Sequence, residues 1–216
     1  MAPNPQVLKY KLGNMAPNTG LPTINRLITT HNNKGEAIFS DAVASETPQT
    51  EVGGGAIFGL HYCSENFPVE MNQDKDIQAY QSYMNQAPGL VISSGTVLRT
   101  VGEFLLPWSP YQRDWHIDKA LDMPPGALSP MHRTVSLDYG IVLEGDIELV
   151  LDSGETRPMK RGDIAIQRGT NHAWRNMSSE KWGRMLYVLQ PSQPLQVAGK
   201  TFGEDLADME GVRHST

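Results

Sequence analysis

The clearest pattern in the chain is a regular alternation of short apolar stretches with turn residues across positions 121–191. Within it, SLDYGIVLE places apolar residues at every second position, as a half-buried strand does. Turn signals at 144–146, 152–154 and 161–163 recur every eight or nine residues. Such spacing is typical of a β-sandwich or barrel, and jelly-roll closure also limits exposed sheet edges. The pattern therefore predicts an all-β domain.

Residues upstream of this region predict further strands and one helix. Two short strands are expected in LPTINRLITTHN and GEAIFSDA, with a turn at 32–35 between them, and two more in GGGAIFGLHYCSE and LVISSGTVLRTV. Ile77, Tyr80 and Met84 have helical spacing, and a Pro-Gly pair soon follows them. We therefore expect one short helix in an otherwise all-β chain.

The chain divides into an arm, one domain and a tail. Residues 1–20 are polar and rich in Pro and Asn, which predicts an N-terminal arm. Residues 21–195 form a single predicted domain, interrupted at about 102–120 by an inserted loop with two tryptophans and no clean period. This loop is either a lid over the barrel mouth or a tolerated surface loop. Residues 196–216 form a polar, acidic tail with one short helix expected around 203–209.

Charge, hydropathy and cysteine content argue against several functions. The formal net charge is −6 and no long basic run is present, so we expect neither nucleic acid nor an anionic membrane as a partner. No run approaches the roughly 18 apolar residues of a membrane span, and the N-terminus lacks the apolar segment of a secretory signal. The single cysteine, Cys63, excludes an intramolecular disulfide. These features predict a cytoplasmic protein.

Two strings with glycine and histidine at fixed spacing lie inside the regular region. The first, GALSPMHRTVSLDYGIVLEG, contains His132, Thr134 and Asp138, and the second, GDIAIQRGTNHAWRN, contains His172. On an unbroken strand, positions 132, 134 and 138 share one face, so their side chains are expected to lie together. His172 is expected to join them from a neighbouring strand.

These strings resemble the two motifs of the cupin family. The spacings from Gly126 to His132 and from Asp138 to Gly145 match the first motif, and GTNHAWRN matches the end of the second. The second string is one residue shorter than the family pattern between its glycines, and Arg168 stands where proline is usual. The resemblance implies a double-stranded β-helix, the cupin jelly-roll barrel, in a single copy.

The amino-acid sequences of both strings are also similar to those of a narrower group of cupins. These are small, single-domain, RmlC-like cupins of fungi, often encoded beside polyketide synthases and labelled cupin oxidoreductases. This resemblance implies the tailoring of a small polyketide-like or aromatic metabolite.

The resemblance also implies a divalent metal as cofactor. The family's metal ligands correspond here to His132, Thr134, Asp138 and His172, so threonine replaces one histidine and aspartate replaces the glutamate. Two imidazoles and one carboxylate form a facial set that leaves open positions on Fe(II), and Zn(II) or Mn(II) can use the same donors. We expect His132, Asp138 and His172 to hold such a metal, and we expect no nucleotide cofactor.

Three functions remain open at this point. The leading hypothesis is a metal-dependent oxidoreductase. The second is a metal-independent lyase or isomerase, in which His132, Asp138 and His172 perform dehydration, cyclisation or decarboxylation by acid–base catalysis. The third is a non-catalytic barrel that binds a small molecule. For the two enzymes, these three residues are the predicted catalytic residues.

Four further residues are predicted to bind the substrate, because they flank the predicted ligands or follow them closely. They are Thr134, Arg133, Arg168 and Trp174. A homodimer is also expected, because Val135, Leu137 and Tyr139 would give the outer face of their strand an apolar surface that water would not normally cover.

Overall fold

The fold consists almost entirely of antiparallel strands. The computed structural model describes residues 19–51, 57–102, 122–206, 209 and 212–215. Its thirteen strands among those residues are β1 Thr29–His31, β2 Ala37–Phe39, β3 Gln49–Glu51, β4 Ile57–Cys63, β5 Val97–Gly102, β6 Ser136–Glu144, β7 Asp146–Leu151, β8 Thr156–Lys160, β9 Ile164–Arg168, β10 His172–Asn176, β11 Arg184–Pro191, β12 Leu195–Val197 and β13 Lys200–Phe202. One α-helix, α1, spans Lys75–Asn85 after a short 3-10 turn at Asn72–Asp74. The all-β prediction with one short helix is confirmed.

Two sheets enclose the core. The larger has the strand order β3-β4-β5-β11-β6-β9, and the smaller has the order β10-β7-β8. One buried cluster draws side chains from both sheets, which places them face to face as in a jelly roll. The members of that cluster are Met123, Val142, Ile147, Met159, Ala165, Trp174 and Met185.

Strand β6 forms one side of this core, and the burial of its residues alternates along the strand. Ser136, Asp138 and Val142 are buried, while the residues between them are only partly buried. Gly140 also faces inward, and a β-carbon added there would lie 3.3 Å from the Trp174 ring, so glycine lets the two sheets approach closely. β6 pairs with β11 on one side and β9 on the other, which fixes its register from both edges.

Helix α1 covers the far end of the larger sheet. Ile77 and Tyr80 are its buried residues, as their helical spacing predicted. The Tyr80 hydroxyl donates a hydrogen bond of 2.8 Å to the Leu60 carbonyl oxygen in β4, and its ring contacts that of Tyr62 at 4.9 Å between centroids. The helix is therefore anchored to β4 by both apolar and polar contacts.

The chain segments outside the core differ in part from the sequence prediction. The predicted turn at 32–35 joins β1 and β2. The predicted helix around 203–209 is wrong for its described residues, because 203–206 are not helical and Asp205 bridges to Arg133 instead. The hairpin β12–β13 spans the predicted boundary between domain and tail. Residues 1–18 of the predicted arm, and the inserted loop from 103 onward, lie outside the described residues.

The outer face of the larger sheet carries partly exposed apolar side chains. Leu137 and Tyr139 on β6 are partly buried, and Ile164 and Ile166 on the neighbouring β9 are 61% and 53% exposed. This face fits the sequence expectation of a dimer, which stays a prediction. Among the described residues, no helix has the length and apolar character needed to cross a membrane.

Candidate active site

A small cavity opens between the two sheets, and it brings together all four residues at the predicted ligand positions. His132, Thr134, Asp138 and His172 line it. Apolar and aromatic side chains line most of the rest, among them Phe58, Leu90, Met123, Trp174, Tyr187 and Leu189. Its volume is about 50 Å³. We call it the inner cavity. It has room for a functional group rather than for a whole ligand, since ligand pockets generally have volumes of roughly 300–1,000 Å³.

The backbone route into this cavity differs from the unbroken strand that the sequence predicted. β6 begins only at Ser136, and Thr134 precedes it in irregular structure. His132 is instead held by an isolated bridge to His172, with reciprocal backbone hydrogen bonds of 2.9 Å. His172 lies on β10, which bridges to His132 but belongs to the smaller sheet and does not pair with β6. The shared strand expected for 132, 134 and 138 is wrong.

The two histidines form a contacting pair with defined tautomers. Their ring centroids are 4.4 Å apart. His132 Nδ1 lies 2.9 Å from the Pro130 carbonyl oxygen, and His172 Nδ1 lies 3.0 Å from the Thr170 carbonyl oxygen. Because a carbonyl oxygen only accepts, each Nδ1 must carry the proton. In the neutral form each Nε2 is therefore an acceptor.

Burial keeps this pair neutral. Desolvation and, to a smaller extent, the neighbouring His132 lower the pKa of His172 to about 3, while the bond to the Thr170 carbonyl opposes the shift. Desolvation also lowers the pKa of His132. Both imidazoles are thus uncharged at neutral pH, and they present acceptors rather than donors.

Asp138 is the third polar group of the cavity, and the pKa of its carboxyl group lies close to neutral pH. Burial raises the pKa of its carboxyl group from 3.8 to about 6, although hydrogen bonds from Ser136 and Thr134 and the charge of Arg99 oppose the rise. Thr134 Oγ1 donates to Asp138 Oδ2 at 3.1 Å, and Ser136 Oγ donates to Thr134 Oγ1 at 2.7 Å. Asp138 Oδ1 is buried without a hydrogen-bond partner among the described residues.

The predicted three-ligand metal set is only partly assembled. In the described ranges, no group of three or more His, Cys, Asp or Glu side chains is arranged to hold a metal ion. The paired imidazoles, each anchored through Nδ1, have the second-shell support that metal-binding histidines usually have. Asp138 does not complete a set with them. The geometry therefore supports two donors, and the metal stays a prediction.

The predicted substrate-binding residues separate into two groups. Thr134 lines the cavity, and so does Trp174, whose ring packs edge-on against His172 at 5.6 Å between centroids. Arg133 is drawn away, because its Nε donates to the Gly203 carbonyl oxygen at 2.8 Å and its guanidinium lies over the Phe202 ring.

Arg168 is also outside the cavity. It is exposed at the end of β9, and neither it nor Arg133 lines the inner cavity. Substrate binding by either arginine remains a prediction that this geometry does not support.

Arg99 is the functional candidate that sequence reasoning missed. It lies on β5, is 2% exposed, and lines the inner cavity together with Asp138. The signal in the sequence was a lone charged residue inside the apolar stretch LVISSGTVLRTV. A charged residue in such a stretch lies either on a solvent-exposed face of the strand or in the interior with a structural or functional role, and only the fold distinguishes the two cases.

The buried neutral histidines predict acid lability. His61 has its pKa lowered to about 4, mainly by desolvation, and His172 to about 3, both from 6.5. A lowered pKa in the folded state means that the unfolded chain binds more protons, so stability is present above about pH 6.5 and is lost as the pH falls toward these values. We expect His172→Gln to remove roughly 2 kcal/mol of the stability lost between pH 7 and pH 5.

Urea denaturation at the two pH values measures this difference. His31→Gln makes the same substitution at an exposed histidine on the edge of the fold, and it serves as the control. Equal pH dependence in wild type and His172→Gln would contradict a neutral, desolvated His172.

Comparison with known proteins identifies a matching family and several related proteins. The family model described as "Cupin domain" matches residues 120–189. The "Phomopsin biosynthesis cluster protein D" of Diaporthe leptostromiformis is 42% identical over 85% of this chain and 86% of its own length. The "Cupin-domain-containing oxidoreductase fogC" of Aspergillus ruber is 37% identical over 85% of this chain and 80% of its own length. A solved RmlC-like cupin from Shewanella frigidimarina shares 12% identity, with a TM-score of 0.38, over 70% of this chain and 89% of that one.

Proposed function

Because this chain belongs to the cupin-domain proteins and is related to members of fungal biosynthesis clusters, we propose that it is a tailoring enzyme that moves a proton at a carbon atom next to a carbonyl group of a small metabolite. The observation that carries this proposal is the enclosed grouping of Asp138 with His132 and His172. A carboxyl group whose pKa is about 6 can both take and return a proton near neutral pH.

Each polar group of the inner cavity has a separate part in this reaction. Thr134 holds Asp138 Oδ2, which leaves Oδ1 as the oxygen that takes the proton from the α-carbon and later returns it. A hydroxyl group of the substrate has one proton to donate, and it donates that proton to Nε2 of His132 or of His172, which orients the substrate. The apolar lining, including Trp174, keeps water away from the carbanion-like intermediate. Isomerisation is the simplest outcome of these steps.

Deuterium exchange tests the reaction without knowledge of the natural substrate. In D₂O at pH 7, we expect the protein to accelerate loss of the acetyl methyl signal of 4-hydroxyacetophenone in proton NMR spectra. The rate should rise with pH and level off above about pH 6, since Asp138 must be ionised to accept a proton. Exchange should survive dialysis against EDTA. No acceleration with this ketone or with other hydroxylated acetophenones would contradict the proposal.

A metal-dependent oxidoreductase is the second candidate function. It is favoured by the two anchored imidazoles and by relatives that carry the name oxidoreductase. Elemental analysis of wild type and His132→Ala, purified without chelators, separates the candidates. Near-stoichiometric iron, zinc or manganese that disappears in the variant, together with exchange that EDTA abolishes, would favour the oxidoreductase. A protein with neither exchange nor metal would leave the non-catalytic binding barrel.

A further inference from the structure

A second, larger cavity adjoins the inner one. We call it the outer cavity; its volume is about 370 Å³, and Met84, Gly89 and Arg213 are among its lining residues. Phe58 and Arg99 line both cavities, so this pair of side chains stands at their junction. The outer cavity, unlike the inner one, reaches the range of volumes that small-molecule ligands occupy, roughly 300–1,000 Å³. A ligand of that size can therefore place its body there and a single functional group in the inner cavity.

Arg99 is a buried cation with unused hydrogen-bonding capacity. Its Nη2 donates to the Gly89 carbonyl oxygen at 2.7 Å, and its guanidinium lies over the Phe58 ring at 5.1 Å from the centroid. Its Nε is buried with no partner in the part of the chain that the structure describes. A guanidinium has five N–H donors, so among the described residues at least the Nε donor remains available to a ligand.

The charge of Arg99 is also incompletely balanced. None of the ion pairs among the described residues includes it. Asp138 acts on Arg99 electrostatically, but among the described residues no hydrogen bond joins the Asp138 carboxylate to the guanidinium: Oδ2 accepts from Thr134, and Oδ1 has no partner. A buried cation without a contacting anion is costly, and such sites are normally completed by an anionic partner.

We propose that Arg99 binds a carboxylate group of the substrate at the junction of the two cavities. The substrate is then a small carboxylic acid that also carries a carbonyl group, with its body in the outer cavity and its reacting end beside Asp138. The planar guanidinium matches a carboxylate with two parallel hydrogen bonds, which a neutral amide cannot reproduce. This assignment rests on the proposed function only in taking the inner cavity as the reaction site.

Binding of two matched probes tests the assignment. 4-Acetylbenzoate and 4-acetylbenzamide have nearly the same shape and the same acetyl group, and they differ in one negative charge. By isothermal titration calorimetry at pH 7, we expect wild type to bind the carboxylate roughly tenfold or more tightly than the amide. In Arg99→Met the two affinities should become equal, and Arg99→Lys should retain only a small preference, since lysine supplies a charge without the fork.

Arg157→Met is the matched control, because Arg157 is an exposed arginine of β8 and lines neither cavity. It loses the same charge and should keep the full preference. Equal affinities in wild type, or an undiminished preference in Arg99→Met and Arg99→Lys, would overturn the assignment. Binding is measured without turnover, so a failure of deuterium exchange would refute the proposed function while leaving this comparison informative.

Discussion

Asp138→Asn should lower the rate of deuterium exchange by roughly 10²–10⁴-fold, the usual contribution of a positioned general base. Asparagine keeps the size of the side chain and can still accept a hydrogen bond from Thr134, but its amide cannot take a proton. The measurement is the rate of methyl exchange of 4-hydroxyacetophenone at pH 7. Asp152→Asn, in the exposed turn after β7, is the control and should exchange at the wild-type rate.

The same variant should be no less stable than wild type. The folded state raises the pKa of Asp138 to about 6, so wild type loses stability as the pH rises from 3.8 through that value. Asparagine has no such dependence, and its relative stability should grow over that interval and stay constant above it. Loss of exchange together with unfolding would indicate a structural role, and exchange within tenfold of wild type would refute Asp138 as the base.

Asn176→Ala should lower the free energy of unfolding by roughly 3 kcal/mol or more, since it removes all the hydrogen bonds of a buried side chain that ties three chain segments together. Asn176 is 1% exposed at the end of β10. Its Nδ2 donates to the carbonyl oxygens of Met123, Pro124 and Lys181 at 2.9–3.1 Å. Its Oδ1 accepts from the backbone N–H of Ser178 at 3.0 Å.

Urea denaturation measures this loss. Asn33→Ala changes an exposed turn residue and should alter stability by less than about 0.5 kcal/mol. Because Met123 lines the inner cavity, a loosened Asn176 network should also weaken binding of 4-acetylbenzoate. A stability loss below about 1 kcal/mol in Asn176→Ala would mean that water replaces these bonds at little cost.

Parts of the fold and site could be predicted because their causes are local. Alternation along SLDYGIVLE decides which side chains of β6 face inward, and the resulting buried set includes Ser136, Asp138 and Val142. Glycine at position 145 allows the turn between β6 and β7, with φ of 89°. The resemblance to the cupin motifs, rather than a local cause, predicted that His132, Thr134, Asp138 and His172 would lie together, and they line one cavity.

Other features depended on contacts between distant segments, and there the sequence predictions fell short. Arg133 and Arg99 are the same residue type beside the same region of the fold. Arg133 is held outside by Gly203 and Asp205 from the C-terminal part of the chain, whereas Arg99 is enclosed between the inner and outer cavities. Arg133 was predicted to bind the substrate because it lies next to His132 in the sequence. The local sequence does not show whether an arginine side chain is bound by a distant segment of the chain.

By itself, then, the sequence determined the strand pattern, the turns and the identity of the polar groups that enter the jelly roll. Only the tertiary structure decided their chemistry. The tautomers of His132 and His172 follow from two backbone carbonyls, and the basicity of Asp138 follows from its burial between strands. Burial and hydrogen-bond partners depend on segments far apart in the chain, and these quantities set each pKa and leave Arg99 as a buried cation.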